Sequence, residues 1–268
     1  MIHWRIILKK LQEVKALPDL LICEFQKLKR KKFILFATLA AFLLPIPLTA
    51  FAIKQNWNYD ELFNIILTFG HFILLIPVLC IVATILLFME RDNNTLKNLL
   101  CIPITRSKLV ITKLLVLVIV SILYATAAFL ASILGAAVAG VSVSNIIEKL
   151  LLSIALGIMT MVASLPCITL IVWCNKNNII SLIISFLYTI VGFIFGINPT
   201  NAPGINLSTL LPTGMITRWL IPYMKSGHLS KNTVSQIFVS TPACITFLCV
   251  VTLICTFLII ITYKNQED

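Results

Sequence analysis

Residues 90–113, ERDNNTLKNLLCIPITRSKLVITK, form a charged, turn-containing block between two long apolar runs, and the reading of this block decides the fold. It holds five Lys/Arg (Arg91, Lys97, Arg106, Lys108, Lys113) and two acids (Glu90, Asp92). Leu96, Leu99, Leu100 and Pro103 fall at i, i+3, i+4 and i+7, so a short helix here carries one apolar stripe and one polar face. Such a segment is either a docking ridge for a partner or a solvated cytoplasmic loop whose leucines rest on the lipid interface. The spacing alone leaves both open.

The flanking runs belong to a membrane. Of the 268 residues, 59% are hydrophobic, and the mean hydropathy is +1.03, far above a soluble domain at roughly 45–50% apolar. Six apolar runs, at about 33–53, 62–89, 114–138, 150–173, 179–197 and 238–263, each approach or exceed the roughly 20 residues that cross the hydrocarbon. The expected fold is therefore an all-α membrane protein with six transmembrane helices over 33–263. An even count places both termini on one side. With that side cytoplasmic, 16 Lys/Arg lie inside and 5 outside, so the positive-inside rule sets the orientation and leaves 264–268 as a cytoplasmic tail.

Residues 1–32 are a basic lead-in with nine Lys/Arg against three acids. Ile7, Leu11 and Val14, and after Pro18 Leu21, Phe25 and Leu28, repeat at i, i+4 and i+7, which predicts two amphipathic helices along the inner membrane surface. Lys27, Lys29, Arg30, Lys31 and Lys32 would anchor this lead-in to anionic lipid, each charge contributing on the order of 1 kcal/mol. The run abuts an apolar span, so membrane lipid and not nucleic acid is the expected partner. MIHWRIILKK lacks a small-residue cleavage site and is not read as a removable signal peptide.

Breakers punctuate the spans: Pro45 and Pro47 in the first, Pro77 in the second, Pro166 in the fourth, and Gly192 with Gly196 as a GxxxG in the fifth. Between the fifth and sixth lies the longest outer connection, 198–237, rich in Pro and Gly and carrying two semi-apolar patches, INLSTLL and MITRWLIPYM. These are too short to span and too apolar for a free loop, so short re-entrant or interfacial helices are expected there. Trp219 and Tyr223 would sit at headgroup level or line an external gate or ligand-binding lip.

Chemistry is sparse. Ionisable groups are nearly absent from the central parts of the spans, and His71 is read as a helix-packing hydrogen-bonder, so the relay a proton- or sodium-driven carrier needs is missing. There is no GxxxxGK[ST], HExxH, GxSxG, CxxC or Cys/His cluster with metal spacing. Neither a catalytic site nor a metal site is expected, and energy for work against a gradient must come from another subunit.

The block 90–113 resembles the first cytoplasmic loop of ABC-2 type permeases: an acid, polar residues, a TL pair, two leucines, a proline, [ST]R and a lysine. The matching residues are Glu90, Thr95, Leu96, Leu99, Leu100, Pro103, Thr105, Arg106 and Lys113. Asn94 stands where that family usually has Gly, and Asn tolerates left-handed backbone nearly as well. Small size and the EFQKLKRKK entry are most similar to the bacitracin and lantibiotic self-protection branch.

The resemblance implies a permease subunit of an ATP-driven exporter in a bacterial cell membrane, paired with an identical or sister permease chain and with separate subunits that bind ATP and Mg. Glu90, Arg91, Thr95, Leu96, Leu99, Leu100, Pro103, Arg106 and Lys108 would couple to the ATPase. The substrate would be an amphipathic peptide or a lipid-like molecule. The alternatives are an exporter of a drug, lipid or ion, and a stand-alone immunity or scaffold protein that sequesters a peptide.

Overall fold

The computed structural model describes residues 18, 20–29, 32–92, 105–174, 178–197, 210–224 and 238–265, and every regular element among them is helical. Helix α1 covers residues 20–29. Its Leu28 is buried in the core and Leu21 and Phe25 pack against it, as the i, i+4, i+7 pattern requires, while Ile22 is exposed. Glu24 is also buried and accepts a bond from Lys27 Nζ one turn on. The other expected amphipathic helix, with Ile7, Leu11 and Val14, lies outside the described residues, as do Arg30 and Lys31. Lys29 is exposed, and Lys32 turns the chain with φ 58°.

The first span is jointed. Helix α2, Phe33–Leu43, gives way at Leu44 to α3, Pro45–Gln55, with Pro45 at the first helical position. A proline has no N–H to donate backwards and is tolerated at that position, so the apolar stretch Leu35–Gln55 crosses as two abutting helices.

The second span contains a π segment. Helix α4, Tyr59–Phe69, passes through a π-helical turn, Gly70–Leu75, into α5, Ile76–Asp92. Pro77 cannot donate to the carbonyl four residues back and its ring crowds that position, and the ladder opens in the preceding turn. Neighbouring groups bond the carbonyls around it. Tyr124 Oη donates to Gly70 O at 3.0 Å, and His71 Nδ1 donates to Leu67 O at 3.0 Å. Tyr124→Phe should cost about 1 kcal/mol and lower the melting midpoint of the purified protein by about 2–4 °C. An unchanged melting curve would mean that this bond contributes nothing.

Helix α6, Arg106–Ala139, is 34 residues long, α7, Ile146–Cys174, has 29, and α8, Asn178–Ile197, has 20. Both α6 and α7 start earlier than the apolar runs 114–138 and 150–173, and α5 ends later than 89. Hydropathy marks where lipid contact begins, whereas backbone hydrogen bonding continues into the polar turns. Thr105 O, for example, receives the N–H groups of Lys108 at 3.0 Å and Leu109 at 3.3 Å. The span-free block is thus shorter than 90–113. A short helix α9, Pro212–Leu220, continues as a 3-10 turn, Ile221–Tyr223, and α10, Thr241–Asn265, closes the chain.

Among the described residues five helical stretches are long and apolar enough to cross a membrane, and Ile180–Phe195 within α8 is a shorter apolar helix. The second stretch, Tyr59–Phe88, is 72% buried inside the bundle, against 28% and 22% for the first and last. The α4–π–α5 rod is therefore the axis around which the other helices pack. Helix α9 lies against α7, α8 and α10, with Ile216 and Leu220 fully buried. Gly192 permits this contact: a Cβ there would stand 2.9 Å from Thr213 Oγ1. The glycine thus serves a short helix in the same chain.

Candidate functional site

The bundle has two ends of different chemistry. At one, α5 stops and α6 starts; at the other lie the turns 56–58 and 140–145, the start of α10 and the short helix α9. We call these the proximal and distal ends.

At the proximal end the structure carries Glu90 and Arg91 in the last turns of α5, Arg106 as the first residue of α6 and Lys108 half-buried in its first turn. Thr95, Leu96, Leu99, Leu100 and Pro103 lie outside the described residues. The N-termini and C-termini of these two helices are thus brought to one end with 93–104 between them. Two turns inside α6, Lys113 is 1% exposed. Its Nζ donates to Leu86 O of α5 at 2.5 Å and stands 5.7 Å from the centroid of the Tyr263 ring in α10. A buried ammonium is costly unless hydrogen-bonded, and here it ties the second, third and last spans at their proximal ends. As the final residue of the charged block, Lys113 reads in sequence as one more loop cation, and only the helical start at Arg106 reveals its burial.

The distal end holds a cavity of about 500 Å³, within the range of small-molecule sites. Two helix starts build its polar side. In the first turn of α4, Asp60 and Glu61 complement the helix dipole, and Glu61 Oε2 accepts the N–H of Asn58 at 3.1 Å. In the first turn of α7, Glu148 is equally well placed, whereas Lys149 opposes the dipole. Asn145, with φ 52°, leads into that helix, and its carbonyl receives the Lys149 N–H at 3.1 Å.

What holds Lys149 is its surroundings. Its Nζ donates to Asp60 Oδ1, lies 3.4 Å from Ser144 Oγ, and sits 3.8 Å and 5.6 Å from the ring centroids of Tyr59 and Phe63. Those distances are in the cation–π range. Tyr59 Oη is in turn 3.4 Å from Ser132 Oγ, and Phe63 meets Phe129 edge-on at 6.3 Å. The pair joins residues 89 apart in sequence.

The opposite wall is aromatic. Trp219 and Tyr223, with ring centroids 5.0 Å apart, both line the cavity, beside Pro222, Leu151, Leu152 and Ala155. Trp219 is 6% exposed and Tyr223 48%, and Trp219 Nε1 donates to Thr241 Oγ1 of α10 at 3.2 Å. The two aromatics singled out for a headgroup belt or an external lip therefore face a cavity shared with two carboxylates and an ammonium. Asp60, Asn64, Glu148 and Lys149 were not singled out. The charges at the two helix starts were the one available signal, and nothing in their spacing indicated that they converge.

Such an arrangement can take an amphipathic molecule, with its apolar part against the aromatic and aliphatic wall and its polar part at the two helix starts. No curated protein matches the chain. Residues 20–192 match the family described as ABC-2 family transporter protein. With more than half of its length covered and several membrane-crossing helices of the required length, the chain belongs to the ABC-2 transporter family and is a multi-pass membrane permease of an ABC transporter, which works with an ABC ATP-binding subunit.

Proposed function

We propose that this permease exports amphipathic peptide antibiotics of the bacitracin or lantibiotic kind from a bacterial cell membrane, giving self-protection or resistance. The distal cavity carries this reading: about 500 Å³ of space between the Trp219 and Tyr223 wall and the Asp60, Glu148 and Lys149 rim suits a molecule that is part apolar and part charged. In this reading α8, whose 20 residues suffice to cross, completes six spans. The excess of Lys/Arg at the proximal side places both termini in the cytoplasm and the cavity outside. Two permease chains, identical or sister, form the pathway. The segment 93–104 with its flanking helix ends docks on an ATPase that binds ATP and Mg and performs the hydrolysis, while this chain supplies no catalytic group. Closure of the ATPases tilts the second and third spans, and the buried Lys113 contact carries that tilt to the last span.

The test is resistance in a sensitive cell that expresses the chain with its ATP-binding partner. Tyr223 is half exposed, so Tyr223→Ala removes a wall of the site without opening the core. Losing one stacked ring, about 1–1.5 kcal/mol, should lower the tolerated antibiotic concentration by about tenfold. Full resistance from the chain without any ATPase would overturn export in favour of sequestration.

A further inference from the structure

We propose that the distal cavity is a site for a primary ammonium group on an amphipathic molecule, and that Lys149 fills it with its own ammonium until such a ligand displaces it. The inference deepens the export reading of the same cavity and rests on it for the site's use, though not for its chemistry.

Three observations carry it. First, the surroundings of Lys149 Nζ are those a receptor builds for an alkylammonium: the Asp60 carboxylate on one side, the Tyr59 ring at 3.8 Å and the Phe63 ring at 5.6 Å. Second, Asp60, Phe63 and Lys149 all line the cavity, so the cage opens into a space large enough for a ligand, with the apolar wall of Leu152, Trp219 and Tyr223 opposite. Third, Lys149 is a poor permanent occupant. It sits in the first turn of α7, where the helix dipole disfavours a cation, its flexible stem carries rotamer entropy, and the Asp60 side chain it pairs with is 32% exposed. An arriving ammonium meets the same partners without the dipole penalty. The displaced Lys149 can follow its stem into water or turn to Glu148, the neighbouring carboxylate, which makes no ion pair among the described residues. A structural bolt between α4 and α7 would need the lysine but no cavity beside it. A phosphate site would need the ammonium turned away from Asp60.

Binding by the full chain tests this in phosphatidylcholine nanodiscs. With Trp4→Phe, Trp57→Phe and Trp173→Phe, Trp219 is the only indole and reports from the cavity wall. Dodecylamine should give a saturable fluorescence change that dodecanol does not, and Asp60→Asn should abolish it. Lys149→Ala should tighten dodecylamine binding by about tenfold, the factor expected if the cage is self-occupied roughly nine parts in ten. Lys149→Met, which keeps the stem against the rings, should do the same, and Lys149→Arg should stay close to the parent.

Unchanged or weaker binding in both Lys149→Ala and Lys149→Met, with elution profiles like the parent, overturns the proposal, as does equal binding of dodecanol. A rise in the apparent dodecylamine Kd when phosphatidylethanolamine replaces phosphatidylcholine assigns the ammonium to a lipid headgroup, and no rise assigns it to a non-lipid amphipath. If the binding pattern holds while Tyr223→Ala leaves antibiotic resistance intact, the site stands and the antibiotic reading fails. If resistance falls and the binding pattern is absent, the reverse is true.

Discussion

Gly157→Leu should leave no correctly assembled bundle. A Cβ on Gly157 would stand 2.8 Å from Ala125 Cβ and 3.1 Å from the Ser121 carbonyl oxygen. Neither neighbour is the far end of a flexible side chain, so α6 and α7 must part along their whole contact. One turn earlier on the same face, Ser153 Oγ donates to Ala125 O at 3.0 Å, a bond that exists only at this close approach. Small residues allow such backbone contact in membranes, where there is no hydrophobic gain between helices and packing has to supply the attraction. Overpacking by one methyl costs about 1–3 kcal/mol, so Gly157→Ala should melt several degrees lower while Leu should give an aggregated profile on gel filtration. Pairing Gly157→Ala with Ala125→Gly should recover part of the loss. A parent-like elution profile and melting curve for Gly157→Leu would show that the two helices do not meet here.

Leu96→Glu with Leu100→Glu should abolish ATP-driven transport. Both leucines lie in 93–104, outside the described residues, so the expectation comes from the i, i+4 spacing of the stripe, from membership of the ABC-2 family, and from the ends of α5 and α6 at one end of the bundle. Burying a carboxylate without a partner at an interface costs several kcal/mol, so two of them should weaken docking by more than about a thousandfold. The ATP-binding subunit should no longer copurify, and transport should fall to background, while the permease still elutes as a single species. Retained copurification and transport would place the coupling contact elsewhere and return the stripe to the lipid interface.

The elements were legible in the sequence to the extent that lipid writes them there. Long apolar runs gave the spans, Pro45 the joint in the first span, and INLSTLL with MITRWLIPYM the presence of a short helix before the last span, found as Pro212–Leu220. Helix ends were read too short because solvated turns such as 106–113 remain helical. The π turn had only Pro77 as a signal, and a proline in a span is compatible with several distortions. The site was half legible. Trp219 and Tyr223 were visible as large amphipathic rings in an outer segment, but the Asp60–Lys149 pair was not, because an ion pair between residues 89 apart depends on which helix starts share an end and a face. Lys149 enters a charge count as one outer cation among five, with nothing to show that it lies over an aromatic ring.

The π turn at Gly70–Leu75 has a further meaning for how the chain can vary. Its wider ladder accommodates one residue more than an unbroken α-helix would. Removing any one of those six would restore a uniform rod and swivel everything after it by about 100°. Leu79, Ala83 and Leu86, which now point inward, would rotate away, and the carbonyl that meets Lys113 would leave it. Length in this segment is therefore under as strict a constraint as any side chain, and a one-codon deletion there would uncouple the two halves of the second span while altering no residue at either end.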